Sequence, residues 1–462
     1  MEEERRPAHA MVFPFPCAGH INPTLRLAGL LHARGVRVTF VNTERNHARL
    51  PPRRAREGFR FAAVPDGLSD EDRAAPDSTV RLYLSLRRSC GAPLVALARS
   101  LGTVTCVVVS GLVSFALDAA DEIGVPAFVL WGTSSCGFLG TLRLRELRQR
   151  GYTPLKDESW LTNGYLDTPI DWIAGMPPVR LGDISSFVRT LDPHCFALRV
   201  EEGEANSCAR ARGGVILNTF ECLEPDVLAA LRDEFPRVYT VGPLAGATQQ
   251  QHLSLWEEDG ECVPWLDAQA PGSVLYVSFG SLAVLSAAQA EELAWGLAAA
   301  RRPFLWAARP GLVAGAMPAG ALAAAAGRCF VAEWCAQERV LGHRAVGGFL
   351  THSGWNSTAE SIRAGVPMLC WPGFADQYIN CRYACEEWGV GIRLDEALRR
   401  DRVAARVEEL MGDSDAAREM RRRAAAWKAR AEAATAPAGS SHDGLAALVE
   451  ELAAAARPRG GQ

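Results

Sequence analysis

Cys106-Val-Val-Val-Ser110 carries no polar residue until its end, and Ala127-Phe-Val-Leu-Trp131 is apolar throughout. A strand with one wet face alternates polar and apolar residues. Runs without alternation belong to strands covered on both faces, as in a parallel sheet between layers of helix. The stretch from Ser114 to Gly124 has helical character and joins these two runs. Near the start, an apolar run over residues 8–13 leads through Gly19-His20 and Asn22-Pro23 into a stretch with Leu25, Leu27, Leu30 and Leu31, ending at Gly35. Proline suits the first turn of a helix and glycine its end. With the following Val36-Arg-Val-Thr-Phe-Val strand this makes a βαβ unit, so the first half is expected to be a doubly wound parallel sheet.

A second series begins at Ser273-Val-Leu-Tyr-Val-Ser-Phe-Gly-Ser281. Further strands are expected at 304–308, 329–332, 347–351 and 367–372, with helices between them. Loops and short helices are expected over 151–190, which carries Tyr152, Trp160, Tyr165 and Trp172 among prolines and glycines. The Ala/Gly run at 314–327 is expected as a surface loop, and the last 60 or so residues as helix. A chain of 462 residues is long enough for two domains. The expected division is an N-terminal domain over 1–243, a Gln-rich polar linker over 244–262, a C-terminal domain over 263–440 and a last helix over 441–462. Two Rossmann-like α/β domains joined this way would present parallel sheets across a cleft, with ligands outside the carboxyl ends of the strands.

Composition excludes several classes. A net charge of −4 without a basic stripe argues against nucleic acid as a partner. No apolar stretch reaches the length of a transmembrane span, and Met1-Glu-Glu-Glu-Arg-Arg lacks the core of a signal peptide. The thirteen cysteines show no CxxC pair, and only Cys381 and Cys385 sit close together. Reduced, mostly buried thiols in the cytoplasm are therefore expected, with no metal.

Neither half has G-x-G-x-x-G after its first strand, against a dinucleotide dehydrogenase. Gly19-His20 stands there instead. A histidine at the crevice end of a sheet can take a proton from a hydroxyl near neutral pH, although a lone histidine there also reads as a loop or capping residue. In the second half, the polar groups gather where strands end or helices begin. Trp334-Cys335-Ala-Gln337 follows one strand. His352-Ser-Gly354-Trp355-Asn356-Ser357 follows the next and opens a helix, with Glu360 one turn on, and Asp376-Gln377 follows the strand ending at Trp371-Pro372. Backbone N–H groups at a helix start can hold a pyrophosphate, helped by His352, Asn356 and Ser357. Trp334 offers a face for a base, Glu360 can accept ribose hydroxyls, and Asp376 and Gln377 can read a sugar. Each tryptophan taken alone reads as core packing.

The run from Trp334 to Gln377 resembles the plant secondary-product glycosyltransferase signature of the family 1 UDP-glycosyltransferases. The likeness extends to Phe-Pro-x-x-Gly-His-Ile-Asn-Pro near the start and to Ser278-Phe-Gly-Ser281. The resemblance implies a GT-B fold, with acceptor in the N-terminal domain and UDP-sugar in the C-terminal one. It implies uracil stacked on Trp334 and bonded by the Cys335 backbone, and ribose held by Gln337 and Glu360. Phosphates would meet Ser281, His352, Asn356, Ser357 and the turn at Gly354. Trp355, Asp376, Gln377 and Thr133 would meet the sugar, Gly19 would join the UDP-sugar-binding residues, and Gln377 favours glucose. His20 would deprotonate a small lipophilic acceptor for an inverting transfer, with no cofactor beyond the UDP-glucose donor, in a monomer.

One position departs from the family pattern. Relatives carry an aspartate that orients the histidine at the end of the strand over 106–110; here that position is Ser110. Serine can hydrogen-bond an imidazole but cannot stabilise an imidazolium by charge. The enzyme is then expected to be slow with His20 alone or to prefer acidic acceptors. The competing reading is a catalytically weak protein that binds a UDP-sugar. Asp118 and Asp121 are expected to be solvated rather than to replace the relay.

Overall fold

The computed structural model describes residues 7–50, 57–75, 77–246, 258–314 and 317–457. Among them, fifteen strands occur in chain order: β1 (His9–Phe13), β2 (Arg37–Thr43), β3 (Phe59–Val64), β4 (Cys106–Ser110), β5 (Ala127–Trp131), β6 (Pro169–Ile170), β7 (Val179–Arg180), β8 (Gly214–Leu217), β9 (Val238–Thr240), β10 (Val274–Ser278), β11 (Phe304–Ala307), β12 (Cys329–Ala332), β13 (Val346–Thr351), β14 (Met368–Cys370) and β15 (Gly391–Arg393).

The chain forms two compact units. The first comprises Met1–Arg145, His194–Leu255 and Thr435–Gln462. Its sheet has the order β3-β2-β1-β4-β5-β8-β9, with parallel pairing throughout. The apolar runs that predict strands are the inner strands: every residue of β1, β4 and β5 is buried. The helix Ser440–Ala455 covers this sheet, placing Leu445, Leu448 and Leu452 in one cluster with Val12, Val108 and Ile216.

The helix after β1 starts earlier than its proline suggests. It runs Ala18–Ala33 with Pro23 inside it. A proline this near the N-terminus deletes one internal hydrogen bond, that to the Gly19 carbonyl, so the helix tolerates it. His20 therefore lies in the first helical turn, where its N–H bonds the Cys17 carbonyl at 2.9 Å.

The second unit comprises Glu146–Pro193 and Trp256–Ala434. Its sheet has the order β12-β11-β10-β13-β14-β15, again all parallel. The segment 146–193, read from sequence with the N-terminal domain, packs here instead. Asp183 pairs with Arg393 at 2.7 Å, and Arg189 lies 4.3 Å over the Tyr378 ring. Ser186 exchanges hydrogen bonds with Ala375, its N–H reaching the carbonyl at 3.2 Å and its hydroxyl accepting from the N–H at 2.8 Å. These are contacts of long sequence separation, which local periodicity does not encode. The 314–327 run is a second correction: it contains a helix, Ala319–Ala324, with Ala321 and Ala325 buried in the core. Most of the proposed 244–262 linker lies outside the described residues.

Candidate functional site

In the first unit, β1 and β4 are neighbours, and the loop leaving β1 is fastened to the end of β4 by one side chain. The Ser110 hydroxyl accepts from the Phe15 N–H at 2.8 Å and donates to the Gly111 carbonyl at 2.9 Å. Ser110 is buried and both contacts are with backbone, so its hydroxyl is not spent on His20. The Phe15 ring meets the His20 ring edge-on, with centroids 5.4 Å apart. Serine thus acts on the histidine only through the loop that carries Phe15.

The His20 ring is partly buried, and its Nδ1 has no hydrogen-bond partner among the described residues. It lies against Gly132, where a Cβ would stand 3.5 Å from Nδ1. Desolvation holds the imidazole down at about 4, so it is neutral at pH 7. Next to it in sequence, Gly19 faces open space. Thr133 accepts from the Trp131 indole N–H at 2.9 Å and donates to the Ser134 carbonyl. Asp118 pairs with Arg210 and Asp121 with Arg212, both on the surface.

In the second unit the polar residues after β10, β12, β13 and β14 fall into connected groups. The Gln337 amide nitrogen donates to Ser357 Oγ at 2.9 Å and to Glu360 Oε2 at 2.8 Å, while its carbonyl accepts from the Tyr276 hydroxyl at 3.1 Å. Tyr276 is an addition that sequence reading missed. The signal was there: a phenol in an otherwise apolar inner strand needs a partner for its hydroxyl. The same hydroxyl lies 3.4 Å from Cys335 Sγ, which is buried, leaving the Cys335 backbone as what that residue can present.

The helix Trp355–Ala364 starts at Gly354 with no side-chain cap and no acidic residue in its first turn. Its leading N–H groups retain their attraction for an anion. The His352 ring fits between two glycines: a Cβ on Gly280 or Gly354 would fall 2.7 or 2.5 Å from Nε2. Burial holds His352 at about 4, so it too is neutral at pH 7. Ser281 follows Gly280, whose φ of +70° suits glycine. Ser357 and Glu360 are buried at the helix start, whereas Trp334 and Asn356 keep part of their surface open. The Trp355 indole is packed against Trp388, so it is the Trp355 backbone that lies at the helix start.

Asp376 is pushed up to about 6 by desolvation, and accepts from Asn380 Nδ2 at 2.8 Å. The Gln377 carbonyl accepts from the N–H groups of Gly373 and Phe374 at 3.0 and 2.9 Å. That fixes the orientation of the amide and leaves its NH2 as the group it can offer.

Residues 257–422 match the model of the UDP-glucoronosyl and UDP-glucosyl transferase family. The chain is 44% identical to the (R)-mandelonitrile beta-glucosyltransferase of Prunus dulcis, over 96% of this chain and 97% of that one. The chain belongs to the plant family 1 UDP-glycosyltransferases. Identity to the 7-deoxyloganetin glucosyltransferase of Gardenia jasminoides is 43%, over 96% and 97% of the two chains. Among solved structures, an anthocyanidin 3-O-glucosyltransferase in complex with UDP superposes with a TM-score of 0.85 at 25% identity, covering 97% of this chain and 100% of that one. Os79 from O. sativa in complex with UDP gives 0.82 at 26%, covering 96% and 100%. The two parallel sheets of this UDP-glycosyltransferase are therefore those of the GT-B fold. Among the described residues, no helix is long and apolar enough to cross a membrane.

Proposed function

We propose that this UDP-glycosyltransferase moves glucose from UDP-glucose to a hydroxyl of a small lipophilic acceptor, with inversion at the anomeric carbon. The observation that carries the donor half is the uncapped helix start at Gly354 beside the hydrogen-bonded set Gln337, Ser357 and Glu360. Phosphates at the helix start meet its N–H groups with Ser281, His352, Asn356 and Ser357. Gln337 and Glu360 take the ribose hydroxyls, and Trp334 stacks on uracil above the Cys335 backbone. The sugar meets Asp376, the Gln377 amide and the Trp355 backbone. Charge developing on the leaving diphosphate is met by donors already fixed in place, so the reaction needs no metal.

In the transfer step, His20 accepts the acceptor's proton as the oxygen attacks the anomeric carbon and UDP departs from the opposite face. An imidazole whose conjugate acid sits at about 4 is always available as a base at pH 7, but it is a weak one. No carboxylate at position 110 stabilises the imidazolium. Hydroxyls that are already acidic, as in phenols and flavonoids, therefore suit this site better than simple alcohols such as terpenols. Two relatives are named for transfer to mandelonitrile and to 7-deoxyloganetin, which supports a small-molecule acceptor. The competing reading, a weak binding protein, rests on Ser110 alone and is not favoured, because these relatives are named as transferases. We also take the protein to act as a cytoplasmic monomer; its thirteen free thiols suit a reducing compartment.

The test is UDP release with UDP-glucose over a panel of phenols, flavonoids and terpenols, with mass detection of glucosides. Phenolic acceptors should lead, and His20→Ala should lower turnover by about 10²–10⁴-fold. Full activity in His20→Ala would remove that residue as the base. No UDP release with any acceptor, despite UDP binding by calorimetry, would favour the binding protein.

A further inference from the structure

Three cysteines of the second unit converge although the sequence shows only two of them close together. Cys370 ends β14. The helix Gln377–Arg382 carries Cys381, and the widened turn Tyr383–Glu387 that continues it carries Cys385. That turn is closed by the Trp388 N–H on the Tyr383 carbonyl at 2.8 Å, a hydrogen bond across five residues. Such π-type turns are rare and concentrate at functional sites. The three Sγ atoms all lie within 4.8 Å of one another. Cys370 and Cys381 are fully buried, and Cys385 retains some exposure.

The backbone comes close to the sulfurs on one side. Gly391 stands where a Cβ would be 3.2 Å from Cys370 Sγ and 3.3 Å from Cys385 Sγ. The Ser353 hydroxyl, 1% exposed, faces the Cys370 thiol and has no nitrogen or oxygen partner among the described residues. The proposed transfer chemistry uses none of these thiols. Packing as small apolar residues explains why cysteines are buried, but not why three point their sulfurs at one spot beside a buried hydroxyl.

We propose that Cys370, Cys381 and Cys385 form a three-coordinate thiolate site for a soft monovalent cation of the copper(I) class. Among the described residues no fourth cysteine, histidine or carboxylate joins the group. A closed structural zinc site takes four protein ligands in a tetrahedron, one more than this group supplies. Soft thiolates select copper(I), which accepts a trigonal sulfur environment. Binding releases the thiol protons to solvent, and the excess negative charge of the thiolates is offset in part by the Arg393 guanidinium nearby. Through Ser353, whose carbonyl accepts from Asn380 at 2.9 Å, the site adjoins the turn that carries His352. The proposal stands apart from the identity of the sugar acceptor and from the role of His20.

The experiment titrates the reduced full-length protein anaerobically with copper(I) against a chromogenic copper(I) chelator. It then records X-ray absorption of the complex holding one equivalent. One tight equivalent bound by three sulfur scatterers is expected. Cys381→Ser and Cys385→Ser should each weaken that binding by at least about tenfold, while Cys222→Ser, at an exposed cysteine, should not. Fewer than three sulfurs around copper in the unaltered protein would overturn the proposal, whether or not the variants fold. So would equal copper affinity in the unaltered protein and in folded Cys385→Ser.

Discussion

The hydroxyl of Ser110 is occupied by the Phe15 N–H and the Gly111 carbonyl, so the histidine it might have oriented has an Nδ1 without a partner. A carboxylate at 110 could still accept from Phe15, and its charge would favour the protonated imidazole. Ser110→Asp should therefore raise the His20 pKa above about 4, since a nearby opposite charge favours the charged form. Because the base works when neutral, the acidic limb of kcat/KM should move to higher pH. Turnover on alcohol acceptors should rise at pH 7–8, because a stronger base is then present in its working form. A pH–rate profile of both proteins on one alcohol and one phenol measures this. An unmoved limb and an unchanged alcohol rate would mean that position 110 does not communicate with His20. Asp376 behaves in the opposite sense. It is held up at about 6 by desolvation, so its ability to accept two sugar hydroxyls weakens as pH falls through that value. KM for UDP-glucose should rise below pH 6, and Asp376→Asn should remove that dependence while raising KM at every pH.

At the scale of elements, the donor groups depend on how closely the β10 loop, the turn after β13 and the following helix approach. The His352 ring lies where a Cβ on Gly280 or on Gly354 would stand under 3 Å from its Nε2. Gly354→Ala keeps an ordinary backbone conformation, since φ is −63° there, so its effect falls on the ring rather than on the helix. The ring must move, and UDP affinity measured by calorimetry should drop about tenfold or more, the worth of one hydrogen bond to a charged group. Thermal stability should change little. Elements of this kind were legible because their signals are local. Unbroken apolar runs gave the inner strands, and polar residues crowded at strand ends gave Trp334, Gln337, His352 and Glu360 as candidates, of which Gln337 and Glu360 are hydrogen-bonded to each other. What stayed hidden depends on partners far along the chain. Nothing near Ser110 in sequence announces that its hydroxyl serves Phe15, and nothing near Trp355 announces Trp388. Alanine and glycine are equally common in loops and in tightly packed helices, so the helix Ala319–Ala324 could not be told from a loop by composition. The attachment of 146–193 to the second unit rests on Ser186, Asp183 and Arg189 meeting partners some two hundred residues away.

At the scale of the whole molecule, the first unit is closed by a helix that the chain supplies last. Leu448 is fully buried in the sheet's cluster, and Leu448→Ala should cost about 2–5 kcal/mol in that unit, read as an earlier unfolding transition with UDP affinity unchanged. Acid should act on both units. His9 and His20 in the first and His352 in the second are each held at about 4, mainly by desolvation. An unfolded histidine titrates near 6.5, so between about 6.5 and 4 the unfolded chain binds protons that the folded one refuses. Their contribution is whole above about 6.5 and is lost as pH falls towards 4. Each group adds a slope of at most about 1.4 kcal/mol per pH unit, less for His20 and His352, whose rings are partly open to solvent. Asp376 opposes them, because a carboxyl raised to about 6 takes its proton more readily in the folded state and gains stability from pH 6 downward. One such group against three leaves the histidines in control. Urea midpoints measured between pH 7.5 and pH 4.5 should fall steadily, and a protein with two separately packed units need not unfold in one step. A midpoint that holds or rises on acidification would mean that these imidazoles titrate near 6.5 in the native protein, and the reading of His20 as a weak base would go with it.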